Sequence, residues 1–136
     1  MKTFDLAKLR PAILLVEDEP IIRELLAYAL EDLGAVVTQA ETAAQGLQTL
    51  QTQSFALLLT DVRTPGSLNG LELAKIAAQQ FPRMKLMVTS GYYDTIHQAL
   101  PEGVKFLPKP WTLESLVGAI EELLAQPAGL AMQPAA

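Results

Sequence analysis

Five short apolar runs recur along the chain, each too short for a helix and each bounded by acids, glycine or proline. They are AILLV at 12–16, AVV at 35–37, FALLL at 55–59, LMV at 86–88 and VKFL at 104–107. The best of them are continuous rather than alternating, the pattern of a strand covered on both faces in a parallel sheet. Helical periodicity fills the intervals. Ile22, Leu25, Leu26, Ala29, Leu30 and Leu33 repeat at three and four, with Pro20 near the start and Gly34 just past the end. Leu47 and Leu50 mark a weaker helix between Thr42 and about Gln53. Leu71, Ala74, Ala77, Ala78 and Phe81 mark another, stopped by Pro82. Leu113, Leu116, Val117, Ile120, Leu123 and Leu124 mark the last, with Thr112 as its cap. The segment 92–101 has room for a short or irregular helix only.

Strands alternating with helices in this way specify an α/β fold, a doubly wound five-stranded parallel sheet with helices on both faces. At 136 residues and 50% hydrophobic composition the chain makes one domain with its own core. The boundaries expected are an N-terminal extension over 1–10, a domain over 11–126 and a flexible tail over 127–136.

In such a sheet the functional site lies beyond the C-terminal ends of the strands. Those ends carry Glu17-Asp18-Glu19, Asp61, Thr89-Ser90-Gly91 and Lys109-Pro110. Acids after strands are common turn formers, but four matching strand ends together point to a site. Converging carboxylates suit a hard divalent cation such as magnesium. An aspartate beside it can attack phosphorus, and a lysine ammonium can neutralise the phosphoryl oxygens. This chemistry alone leaves a phosphorylation switch and a phosphatase both open.

Other classes recede. With no cysteine, disulfides, thiolate nucleophiles and Cys-ligated metals are excluded, and one histidine leaves no basis for a His cluster. A net charge of -5 argues against non-specific nucleic-acid binding. Neither a signal peptide nor a membrane span is visible, so the cytoplasm is the default.

ILLVEDEP at 13–20, LLLTDVRTPGSLNGLEL at 57–73, VTSGY at 88–92 and FLPKPW at 106–111 resemble the signature segments of response-regulator receiver domains, the phospho-accepting partners of histidine kinases in two-component signalling. The resemblance covers about residues 11–126. It implies a flavodoxin-like sheet of strand order 2-1-3-4-5, with Asp61 as phospho-acceptor and Asp18 as a direct magnesium ligand. Glu17 would act beside Asp18, commonly through water, and the backbone carbonyl of Arg63 would add a further ligand. Mn2+ is the natural substitute ion. Lys109 would pair with Asp61 or its phosphoryl group, before a prolyl bond that is often cis in the family. Ser90 is chosen as the switch hydroxyl, with Thr89 the alternative if the register moves by one. Phe106 matches the switch aromatic and lacks a hydroxyl.

Two departures stand out. The loop between Asp61 and Gly70 is one residue longer than the commonest pattern, as in receivers attached to hybrid kinases. The spacing from Ser90 to Lys109 is several residues short, at the expense of the family's fourth helix, which puts a dimer through that face in doubt. His97 and Glu19 have solvated roles as their plain alternative. Tyr92, Tyr93 and Trp111 could form a partner patch or the packing that compensates for the short helix.

The function implied is a response regulator that takes a phosphoryl group from a histidine kinase or phosphotransfer protein. It would catalyse its own phosphorylation and dephosphorylation and signal to a separate effector protein. No direct nucleic-acid contact is expected, since only a short tail follows residue 126, and the state expected is a monomer or weak dimer. A phosphorylation-independent interaction module is the alternative; the complete set of Glu17, Asp18, Asp61 and Lys109 counts against it. A small phosphohydrolase ranks below both, for want of a cap domain.

Overall fold

Each of the five apolar runs carries a strand. In a computed structural model, which describes residues 6–64, 66–91 and 100–126, these are β1 (Ala12–Val16), β2 (Val36–Ala40), β3 (Leu57–Asp61), β4 (Lys85–Ser90) and β5 (Lys105–Pro108). The helices are α1 (Leu6–Leu9), α2 (Pro20–Asp32), α3 (Ala43–Leu50), α4 (Gly70–Gln80) and α5 (Leu113–Ala125). The strands form one sheet in the order β2-β1-β3-β4-β5, and every neighbouring pair is parallel. Among the described residues no helix is long and apolar enough to cross a membrane.

Alternation along the strands divides the core into two layers. Ile13, Leu15, Leu57, Leu59 and Met87 pack against Leu26, Ala27 and Leu30 of α2 and Leu116, Ile120 and Leu123 of α5. Leu14, Val16, Leu58 and Leu86 pack against Ala43 and Leu50 of α3 and Leu73 and Ala77 of α4. Because β1, β3 and β4 are covered on both faces, their apolar runs are continuous, as the sequence pattern anticipates.

Strand ends extend past the apolar runs wherever neighbours supply hydrogen bonds. β3 continues through Thr60 and Asp61 because Val16 pairs with Thr60 and Thr89 with Asp61. β4 likewise runs one residue beyond Thr89, to Ser90, which pairs with Pro108. β2, an edge strand, admits Thr38 and Gln39 on its half-solvated faces.

The helix starts are set by side chains. Thr42 accepts from the Gln45 N–H, Asn69 and Glu72 form a reciprocal capping box, and Thr112 does the same with Ser115. The apolar repeat of α2 divides between two faces. Leu26, Ala27 and Leu30 are buried, whereas Leu25 is 65% exposed and Ile21, Ile22, Tyr28 and Leu33 are also in solvent. Thirteen residues offer more apolar side chains than one sheet face can cover.

Before β1, the single turn α1 lays Leu6 into the core. The approach needs a glycine opposite: Gly34 has φ +114, and a Cβ there would meet the backbone of Leu6 and Ala7. The expected short helix over 92–101, with Tyr92, Tyr93 and His97, falls largely on residues 92–99, outside those described, as does the tail over 127–136.

Candidate functional site

The C-terminal ends of β1, β3 and β5 bring Glu17, Asp18, Asp61 and Lys109 together. Oxygen atoms of the three carboxylates lie within 4.8 Å of one another. Glu17 and Asp61 are buried and Asp18 is exposed, so the cluster has a dry floor and an open mouth.

Asp61 is gripped on both oxygens. Lys109 Nζ donates to Oδ2 at 2.7 Å, and the Arg63 N–H donates to Oδ1 at 3.1 Å. A carboxylate 6% exposed is thus held in one orientation by an ammonium and a backbone dipole. The backbone beneath it is fixed as well. The Val62 N–H reaches the Thr89 carbonyl and the Gly70 N–H the Val62 carbonyl, folding the loop that follows Asp61 back beside it. Gly70 is required there, because a Cβ would run into the Asp61 carbonyl and stand 2.9 Å from Thr60 Oγ1.

Glu17 accepts from the Glu19 N–H at 3.0 Å. Burial raises its carboxyl above the usual 4.5. The Glu19 N–H opposes this, Asp61 adds to it, Lys109 opposes and Asp18 adds. Three clustered carboxylates, with one ammonium paired to Asp61 among them, leave unbalanced negative charge, which a hard cation with oxygen ligands would relieve. Glu19 itself is exposed at the N-cap of α2 and makes no side-chain capping bond.

The two hydroxyls at the end of β4 face opposite sides of the sheet. Thr89 Oγ1 accepts the Trp111 indole N–H at 2.9 Å, on the face covered by α2 and α5. Ser90, 1% exposed, lies on the other side, and its carbonyl accepts the Lys109 N–H at 3.0 Å. Phe106 is half-buried against Val62, Ala74 and Val88. The Lys109–Pro110 bond is cis.

Arg23 and Gly70 support the site without having stood out among the candidates. The Arg23 guanidinium donates to the Glu17 carbonyl at 2.9 Å and to Gln39 Oε1 at 3.3 Å, and lies 3.8 Å from Glu41. One basic residue in an amphipathic helix gives no local signal of such a bond. Gly70 carried one, as the glycine that opens a helix after the longer loop.

A family model described as the response regulator receiver domain matches residues 13–121. The chain is 37% identical over 115 residues to the response regulator receiver protein CpdR of Brucella abortus (strain 2308), covering 82% of this chain and 95% of that protein. It is 29% identical over 119 residues to the DNA-binding transcriptional regulator NtrC of Escherichia coli (strain K12). That match covers 85% of this chain and 25% of NtrC, so the chain spans about a quarter of that relative's length. Among solved structures, the response regulator TrrA of Thermotoga maritima, in complex with Mg2+-BeF, matches with a TM-score of 0.72 and 28% identity, over 82% of this chain and 97% of TrrA. The parallel sheet, the acidic cluster at its strand ends and the match over residues 13–121 agree: the chain belongs to the response regulator receiver domain family of two-component signalling.

Proposed function

We propose that the protein accepts a phosphoryl group on Asp61 from a histidine kinase or histidine phosphotransfer protein and passes the signal on by contact with a separate effector. The observation that carries this is the Lys109–Asp61 pair at 2.7 Å, set inside the cluster of Glu17, Asp18 and Asp61. In the transfer, an Asp61 carboxylate oxygen attacks phosphorus. The bond from phosphorus to the donor's imidazole nitrogen breaks, its electron pair returning to the ring. Lys109 neutralises charge on the phosphoryl oxygens and stays paired with the product. Glu17, Asp18, Asp61 and the Arg63 carbonyl would hold Mg2+, or Mn2+ in its place, which supplies charge neutralisation for the transferring group.

Ser90 is the hydroxyl best disposed to sense the product. Thr89 Oγ1 already accepts the Trp111 indole N–H, which favours Ser90 for the phosphoryl group. Phe106, half-buried on Val62 and Val88, would shift its packing when Ser90 moves.

A donor must approach the mouth of the cluster. Ile21, Leu25 and Tyr28 stand exposed at one helical spacing on α2, beginning three residues after Asp18. An apolar stripe placed there suits a helix of the donor protein, with its phosphohistidine aimed at Asp61.

The test is incubation with a small phosphodonor and Mg2+. The expected product is one adduct on Asp61, labile to acid and base and absent in Asp61→Asn. No adduct from either a small donor or a cognate kinase would refute the proposal.

A further inference from the structure

Three hydrogen bonds tie the segment Lys109–Trp111 to the ends of β3 and β4. Lys109 Nζ donates to Asp61 Oδ2, the Lys109 N–H to the Ser90 carbonyl, and the Trp111 Nε1–H to Thr89 Oγ1 at 2.9 Å. The first two involve Lys109 itself. The third lies on the face covered by α2 and α5, where the indole is half-buried against the layer formed by Met87, Leu116 and Ile120.

A lysine side chain has four rotatable bonds and a third of this one is in solvent. Its ammonium keeps one position only if its backbone is fixed. β5 ends at Pro108, so the backbone of Lys109 lies beyond the strand. Trp111 is suited to anchor it. It has two side-chain torsions, a large apolar area in the core and one N–H that needs a partner when buried. Thr89 supplies that partner from the strand whose next residue, Ser90, already receives the Lys109 N–H. The indole bond therefore closes a loop of contacts around the lysine.

We propose that Trp111 is a positioning residue for phosphoryl transfer: its indole bond to Thr89 holds Lys109 on Asp61. The proposal rests on Asp61 being the phospho-acceptor. It assigns Thr89 to holding the loop and leaves Ser90 to the phosphoryl group, so adjacent hydroxyls serve opposite faces of one strand.

The test compares W111F, which keeps the ring and removes the N–H, with T89V, which removes the acceptor at nearly constant shape. Adduct formation from a small phosphodonor is timed at saturating Mg2+, and the melting temperature is recorded for each variant. Each single variant is expected to react about three- to tenfold slower, the worth of one neutral hydrogen bond. The double variant is no slower than the slower single, and W111F has no further effect in a K109A background. A general loss of packing would not disappear in that background. Unchanged rates, losses that multiply in the double variant, or a W111F effect that persists undiminished in K109A would each overturn the proposal. If the wild-type protein forms no adduct, the acceptor reading has failed instead. The indole's role is then judged by NMR of the Lys109 ammonium protons. They exchange with solvent faster in W111F than in wild type if the proposal holds, and at the same rate if it does not.

Discussion

The guanidinium of Arg23 donates from Nη1 to the backbone carbonyl of Glu17 at 2.9 Å, fastening the first turn of α2 to the end of β1. Its other contacts, Gln39 and Glu41, lie at and just past the end of β2. The peptide that joins Glu17 to Asp18 is therefore anchored from behind while both carboxylates face the cluster.

Replacing Arg23 by alanine leaves that carbonyl without its partner and frees the acidic loop. Groups that orient metal ligands typically contribute about 10- to 100-fold in affinity. Arg23→Ala is expected to weaken Mg2+ binding by about tenfold, and to cost about 1–2 kcal/mol of stability for one lost charge-assisted bond. Calorimetric Mg2+ titration and urea unfolding measure the two effects. Unaltered Mg2+ affinity would show that the loop holds its shape without Arg23.

Glu17 makes the metal-free protein pH-sensitive. Burial raises its folded pKa above the unfolded value near 4.5, the Glu19 N–H and Lys109 opposing, Asp61 and Asp18 reinforcing. The folded state therefore binds this proton more tightly than the unfolded chain. Glu17's contribution to stability is complete below about pH 4.5 and is lost as pH rises through the raised folded value. Glu17→Gln is expected to remove that loss, so that at pH 7 in EDTA the variant unfolds at higher urea than wild type. Mg2+ at ten times Kd adds about 1.4 kcal/mol to a protein that binds the ion, so it shifts the balance toward wild type over a variant that binds it less well. Unfolding curves across pH, with and without Mg2+, decide both points.

Gly70 brings the start of α4 against the backbone of Asp61. Alanine there would push on the Asp61 carbonyl and on Thr60 Oγ1, backbone and buried side chain that have no room to yield. Overpacking of this kind costs about 1–3 kcal/mol. Gly70→Ala is expected to lose that stability and to slow phosphorylation, since Asp61 moves with its carbonyl. A melting curve and a phosphorylation time course are sufficient. A variant with wild-type values for both would mean that the loop from Val62 to Asn69 absorbs the methyl group.

The exposed stripe on α2 separates the two kinds of phosphodonor. Leu25, 65% exposed, makes no contribution to either core layer, so Leu25→Asp should leave the fold and the small-donor rate intact. Transfer from the cognate kinase should fall by at least about tenfold if the side chain sits at the centre of the docking face. Equal rates from the kinase with and without the substitution would move the docking face elsewhere.

Much of the fold was legible because its signals are local. Continuous apolar runs marked the covered strands, threes and fours marked the helices, and Thr112 marked the start of α5. The signature segments at 13–20, 57–73, 88–92 and 106–111 carried the strand order and the identities of Glu17, Asp18, Asp61 and Lys109 as expectations. The cluster and the ion pair then put those side chains together. The division of α2 into two apolar faces was not legible. Leu25 and Leu26 are chemically alike, and only the position of the sheet makes one core and the other surface.

The amino-acid sequence by itself determined the alternation of strands and helices and the residues that stand at the strand ends, because both depend on spacing along the chain. Tertiary structure alone decided which groups meet. Asp61 and Lys109 are 48 residues apart, and Thr89 and Trp111 are 22 apart. Arg23 reaches a backbone carbonyl, which every residue possesses and no side-chain pattern announces. A hydrogen bond depends on distance and direction within a few tenths of an ångström. Such precision arises only when the packed layers fix the strand register, and with it the face on which Thr89 and Ser90 each lie.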